Sequence, residues 1–269
     1  NIKNMLPKYN IVVLDSAEVF PFIAQNSNKS IHILFLFIYS FLKYDFTQYS
    51  NVSYSIYNLE MVHKQKRFPF IVEPQEWVLH MYNNATNIID YSLDNIMLLP
   101  YKVLYLPLPL SFDRENNDSK SLAVKEYVIL YFGVRNERID NILNKLKKHY
   151  PVKVIENHEQ NEIDKSRIVL NLHKTKGDVL ETRKLNDIVM DSIIISEEPR
   201  DDIMHHLYNS VLYFIPEIDG DGDSDVDITP LLDMIKVLLT QPPDEQERLE
   251  GLQNLIDYIN CAYGNYFIL

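Results

Sequence analysis

The chain has 269 residues, 46% of them hydrophobic, which is enough for one large domain or two ordinary ones with a sizeable core. A formal net charge of -12 argues against a general nucleic-acid binder, which presents a basic face, but leaves room for a local basic pocket around a diphosphate. The single cysteine, Cys261, excludes a disulfide framework and a zinc cluster, reads as a packed and inert thiol, and fits a reducing, cytoplasmic setting.

In chain order, residues 9–14 read as a first strand, with Asp15 or Ser16 placed to cap the next segment. Residues 28–44, rich in Phe, Ile and Leu, read as a buried helix. The run over 31–44 contains His32, Ser40 and Lys43 and falls short of the roughly 18 to 20 apolar residues of a membrane span. No signal-peptide pattern is visible, and the opening on Asn1 instead of Met fits a piece of a longer polypeptide. A strand over 51–57 is followed by Glu60 and a basic patch from His63 to Arg67. Pro74 suits the first turn of a helix running through Trp77 to Tyr82. A short strand over 85–90 leads to Ser92, a cap for a helix with Leu93, Ile96 and Met97 on its buried face. A strand over 103–106 is closed by Pro107 and Pro109. Residues 111–125, rich in Asn, Asp and Ser, read as a linker, with a domain boundary near residue 120.

The second half opens on a strong strand over 127–132, ended by Gly133. A glycine there lets backbone approach a ligand, and the helix after it offers free N–H groups to an anion. Arg135 and Arg138 flank that helix start and are candidates to clamp phosphate oxygens, while Ile139, Ile142, Leu143 and Leu146 form its buried stripe. Next come a strand over 152–155 and a short helix over 161–165. The centre of this half is a strand–loop–helix–strand unit: 167–173, then 180–190, then 192–198. Its strands are continuous apolar runs, as in a parallel sheet buried on both faces. Ligands of such sheets bind beyond the C-terminal strand ends. That places His173, Lys174, the helix-opening Glu181, Thr182, Arg183 and Lys184, and Glu197 around one polar mouth. A helix over 199–206, a strand over 211–215 and helices over 228–240 and 245–258 close the domain, and 259–269 are expected to return over the first.

The dinucleotide turn G-x-G-x-x-G, the phosphate-loop lysine motif and the G-x-S-x-G elbow are all absent. The acidic run from Asp219 to Asp227 suggests a calcium loop, but with Glu217 as position one, position twelve is Ile228 and not Glu; it reads as a solvated acidic loop. His205 and His206 are adjacent and do not share a helix face, which argues against zinc.

The central unit also carries a family pattern. Leu170, Asn171, Leu172 and His173, then Leu180 and Glu181, then Lys184, then Ser196 and Glu197 resemble the donor-binding half of GT-B glycosyltransferases in the group-one and spore-maturation-like branch. Many retaining members have two glutamates separated by seven residues. Here His173 occupies the first place and Glu181 the second, and the usual arginine falls on Lys184, beside Arg183. Tyr57-Asn-Leu-Glu60 and Tyr91-Ser-Leu-Asp-Asn95 are similar to motifs of the acceptor half.

The resemblance implies an α/β chain of two Rossmann-like domains facing a cleft, residues 1–120 on the acceptor side and 121–269 holding a nucleotide-sugar donor. It implies transfer of a sugar from a nucleotide-diphosphate sugar to a glycan or other hydroxyl acceptor, with no bound metal and no cofactor besides the donor. Glu181 would hold the ribose, Arg138 and Lys184 would neutralise the diphosphate, and His173 would meet the sugar or β-phosphate. Glu60 and Asp94 are the candidates for a general base, with Asp90 and Asp15 as outsiders. Two alternatives stay open: a catalytically silent glycan- or protein-binding module of a larger polypeptide, and a sugar-nucleotide epimerase of the same architecture.

Overall fold

A computed structural model describes residues 14, 18–35, 46, 48–58, 76–107, 125–156, 160–163, 165–173, 192–199, 202–219 and 226–268; the side chains of 76–79, 93, 94, 98, 160, 161, 204 and 266–268 fall outside that description. The chain divides into two compact units, Ile2–Leu108 with Ala262–Leu269, and Pro109–Cys261. The expected linker over 111–124, with its boundary near residue 120, and the first strand over 9–13 lie outside the described residues.

The first unit contains α1 (Val19–Gln25), β1 (Ile31–Phe35), β2 (Val52–Asn58), α2 (Glu76–Asn84), β3 (Asn87–Asp90), α3 (Leu93–Leu98) and β4 (Val103–Tyr105). Its four described strands are all parallel, in the order β1-β2-β3-β4. Ile23, Phe35, Phe46, Tyr54, Ile56, Met81, Tyr82 and Ile88 fill its core.

Three local expectations change here. The stretch expected as a helix from residue 28 is a strand over Ile31–Phe35. β2 supplies a parallel partner from Ile31↔Val52 to Phe35↔Ile56, and the His32 ring meets the hydroxyls of Ser53 at 2.8 Å and Ser55 at 2.9 Å on that strand. Residue Glu18, not Asp15 or Ser16, holds the cap position of α1, without a side-chain cap bond. Ser92 stands at the cap of α3 but its side chain does not cap; Asp90 Oδ1 accepts the Ser92 N–H at 2.9 Å instead, and Met97 is exposed, not buried.

The second unit contains β5 (Tyr127–Phe132), α4 (Glu137–Leu146), β6 (Val152–Ile155), α5 (Gln160–Ile163), β7 (Ser166–Asn171), β8 (Ile193–Glu197), α6 (Asp202–Tyr208), β9 (Leu212–Ile215), α7 (Thr229–Thr240) and α8 (Glu245–Ile268). Its five described strands are parallel, in the order β6-β5-β7-β8-β9. Every residue of β8 is buried, as its run of isoleucines requires in a sheet covered on both faces. The α4 stripe packs as the periodicity predicts: Ile139, Ile142, Leu143 and Leu146 join Ile129, Ile168, Ile193 and Ile195 in one core. Asn136 caps α4, its Oδ1 accepting the Ile139 N–H at 3.0 Å.

α8 continues to Ile268, past its expected end at 258, and Ala262–Leu269 group with the first unit. The Tyr263 hydroxyl there lies 3.0 Å from that of Tyr57. Cys261, expected to be packed, is exposed. It falls off the buried stripe of Leu252, Leu255, Ile256, Ile259 and Tyr263. At the end of the acidic stretch Asp227 is exposed, as expected, while Val226 before it is buried and accepts Lys145 Nζ at its carbonyl at 2.5 Å, and Ile228 beyond it joins the core. No described helix is long and apolar enough to cross a membrane.

Candidate functional site at the strand ends

The strand order of the second sheet reverses between β5 and β7, because β6 lies on one side of β5 and β7, β8 and β9 on the other. Such a switch point opens a crevice beyond the C-terminal strand ends, since the connections leave in opposite directions. Gly133 stands at the end of β5. Its N–H donates to the Ile155 carbonyl at 3.0 Å, and its φ of 129° is one that a Cβ would strain. Arg135 comes next, half-exposed, 3.2 Å from Asp140 and 3.8 Å from Glu156. Exposed pairs of this kind contribute about 0–1 kcal/mol, so the guanidinium is exchangeable toward a better anion.

Arg138 is placed differently from the expectation of a diphosphate ligand. It is 3% exposed and forms an ion pair with Glu197, which is 0% exposed. Nη1 donates to the His173 carbonyl at 2.5 Å, and Nη2 to the Ile218 carbonyl at 2.6 Å. Glu197 in turn accepts the His173 N–H at 2.6 Å on Oε2 and the Ile218 N–H at 2.8 Å on Oε1. One buried pair therefore satisfies both backbone groups of two residues, one beyond β7 and one beyond β9. Burying two charges costs several kcal/mol each, offset here by the ion pair and by the main-chain hydrogen bonds of both terminal nitrogens and both carboxylate oxygens, with Arg138 Nε left unpartnered. Arg138 and Glu197 meet each other and the main chain.

His173 sits two residues past β7, 3% exposed, with Nδ1 3.5 Å from Glu217 Oε1. Behind it, the Asn171 amide donates to the Ser196 hydroxyl at 2.9 Å, tying the ends of β7 and β8. Gly133, Arg135 and His173 are thus gathered at the ends of β5 and β7. Lys174, Glu181, Thr182, Arg183, Lys184 and Glu60 lie outside the described residues, as does the side chain of Asp94. Glu217, which the fold brings beside His173, lies 44 residues from it in sequence, and no local pattern links them.

The first sheet also ends in a buried polar group. Asp90, 0% exposed, accepts the Ser92 N–H at 2.9 Å and the Asn95 amide at 3.1 Å on each oxygen. Asn58 pairs with it across β2 and β3, and the Tyr82 hydroxyl donates to the Asn58 Oδ1 at 2.8 Å. Burial pushes the Asp90 carboxyl up to about 7, against the pull of its hydrogen bonds. Among the described residues no cluster of three or more His, Cys, Asp or Glu side chains is placed to hold a metal ion.

No protein-family model and no curated protein matches the chain. Among solved structures, a glycosyltransferase from Rickettsia africae ESF-5 matches with a TM-score of 0.56 at 11% identity, over 99% of this chain and 81% of that one. The likeness is one of fold: a mixed α/β chain with parallel sheets, glycosyltransferase-like.

Proposed function

We propose that the chain is a GT-B glycosyltransferase that moves a sugar from a nucleotide-diphosphate sugar to a hydroxyl of a glycan or other acceptor. The observation that carries this reading is the switch point between β5 and β7, with Gly133, Arg135 and His173 gathered at the strand ends. The fold likeness to a protein that is itself a glycosyltransferase supports it.

In this reading the donor lies across the crevice. The close backbone approach at Gly133 admits the diphosphate, and Arg135, Arg183 and Lys184 meet its charge without a bound metal. Glu181 accepts hydrogen bonds from the ribose hydroxyls, with Lys174 and Thr182 beside it, and His173 meets the sugar. The bond between the anomeric carbon and the diphosphate oxygen breaks, and one to the acceptor oxygen forms. Cationic side chains fixed beside the departing diphosphate lower the barrier, because the charge that develops there meets a prepared field. The acceptor proton goes to a carboxylate acting as general base, with Glu60 and Asp94 as the candidates.

The test is calorimetric titration with nucleoside diphosphates and sugar nucleotides, with and without magnesium, on wild type and Glu181→Ala. Saturable binding that Glu181→Ala weakens at least about tenfold, the scale of one lost hydrogen-bonded contact, is the expected result. Absence of binding across the panel, by folded protein, overturns the donor site and favours a silent binding module. Turnover of a sugar nucleotide without any acceptor, giving its epimer, favours the epimerase.

A further inference from the structure

We propose that the Tyr57 hydroxyl is a latch of the first unit: it locks the last turns of α8 to the stretch by which the chain leaves that unit. The chain leaves the first unit after Leu108 and re-enters it at Ala262. Tyr57, near the end of β2, reaches both places. Its hydroxyl lies 2.8 Å from the Leu106 carbonyl and 3.1 Å from the Pro107 carbonyl, just before the exit. It also lies 3.0 Å from the hydroxyl of Tyr263, one residue after the return and 206 residues away in sequence. Tyr57 and Tyr263 are each 1% exposed, so water does not compete for these bonds.

The direction of the bonds follows from the groups. A carbonyl only accepts, so the single Tyr57 hydrogen points to the main chain at Leu106 and Pro107. In the contact between the two hydroxyls the Tyr57 oxygen therefore accepts and Tyr263 donates. A polarised chain runs from Tyr263 through Tyr57 to the Leu106 carbonyl. Leu106 is itself anchored, its N–H donating to the Asp90 carbonyl at the end of β3 at 2.9 Å. Tyr57 is the middle member of this chain and stands between the exit and the return.

The consequence is a coupling with a direction. Glu245–Cys261 of α8 group with the second unit and Ala262–Ile268 with the first. Tyr263 lies at the start of that last segment, so its docking fixes where the segment is laid down. Removing the Tyr57 hydroxyl takes away both the donor at the exit and the acceptor at the return, and loosens both. Removing the Tyr263 hydroxyl loosens the return alone, because Tyr57 keeps its hydrogen bond to the main chain.

Amide hydrogen exchange of the full chain by NMR, in wild type, Tyr57→Phe and Tyr263→Phe, tests this, since exchange reads local opening amide by amide. Either variant is expected to speed exchange in 262–268 by roughly fivefold, the scale of one hydrogen bond, with Leu252–Ile259 held within about twofold. Tyr57→Phe is expected to speed the Leu106 amide by a similar factor, roughly fivefold, and Tyr263→Phe to leave it within about twofold. Unchanged exchange in 262–268 in both variants overturns the latch. So does equal speeding along the whole of α8, which is a general loss of stability. A Leu106 amide loosened equally by the two variants overturns the direction of the coupling. Where Tyr57→Phe does not fold, Tyr263→Phe decides alone, by 262–268 against Leu252–Ile259.

Discussion

Both parallel sheets of this chain bury a carboxylate at their C-terminal end, and the two are satisfied by opposite means. Asp90 is surrounded by neutral donors, a backbone N–H and an asparagine amide, and its proton is held to about pH 7. Glu197 faces the Arg138 guanidinium and two backbone N–H groups. The difference shows what each end is built to do. A charge pair with four main-chain bonds fixes the spacing of two segments rigidly. A carboxyl among neutral amides caps one helix and makes the stability of its unit depend on pH.

Breaking the charged cluster is expected to have the largest effect. Glu197→Ala leaves a buried guanidinium and two N–H groups without their acceptor, and should cost about 3–5 kcal/mol in chemical denaturation. A loss under about 1 kcal/mol, the scale of an exposed pair, would mean that Glu197 does not hold the strand ends together.

The neutral cluster is probed by pH. Folded Asp90 keeps a proton up to about 7 that the unfolded chain gives up at 3.8. Its contribution is therefore fully present below 3.8 and is lost as pH rises through about 7. Asp90→Asn should flatten the stability–pH curve over this window, by an amount on the order of a few kcal/mol, since each pH unit between the two values is worth about 1.4 kcal/mol. Parallel curves for wild type and variant would contradict the neutral-cage account.

Smaller effects sharpen the contrast. The Tyr57 hydroxyl reaches the carbonyls of Leu106 at 2.8 Å and Pro107 at 3.1 Å, besides Tyr263. Tyr57→Phe should cost about 1–3 kcal/mol by thermal denaturation, since buried acceptors lose their donor. Arg135→Ala should change stability by less than about 1 kcal/mol, because its ion pairs are exposed. Its expected effect lies in binding, a roughly tenfold loss of nucleoside diphosphate affinity by calorimetry, about one charge-assisted contact.

The second unit is largely legible in the sequence because its signals are long and consistent. The apolar runs of β5, β7 and β8, the glycine after β5 and the four-residue stripe of α4 each have one reading. The first unit is harder. Ile31–Phe35 is a short apolar run, and periodicity alone does not separate a buried strand from a buried helix. Its identity comes from β2, whose Val52 pairs with Ile31 across 21 residues of sequence.

Arg138 teaches a different lesson. It shares a helix face with Ile142 and Leu146, on the stripe already assigned to the core, so its burial is written in the helix period. Its charge suggests a ligand contact; in the fold its guanidinium meets Glu197 and two main-chain carbonyls. The partnership of His173 with Glu217 has no such signal, because it exists only once β7 and β9 share a sheet.

The central claim is that a nucleotide donor occupies the strand ends of the second sheet. Backbone amide NMR during titration with a nucleoside diphosphate tests it most directly. The account predicts saturable shifts at Gly133, Arg135 and His173, with Asp90 and Ser92 unmoved. Shifts confined to the Asp90 end, or none at either end in folded protein, would contradict it.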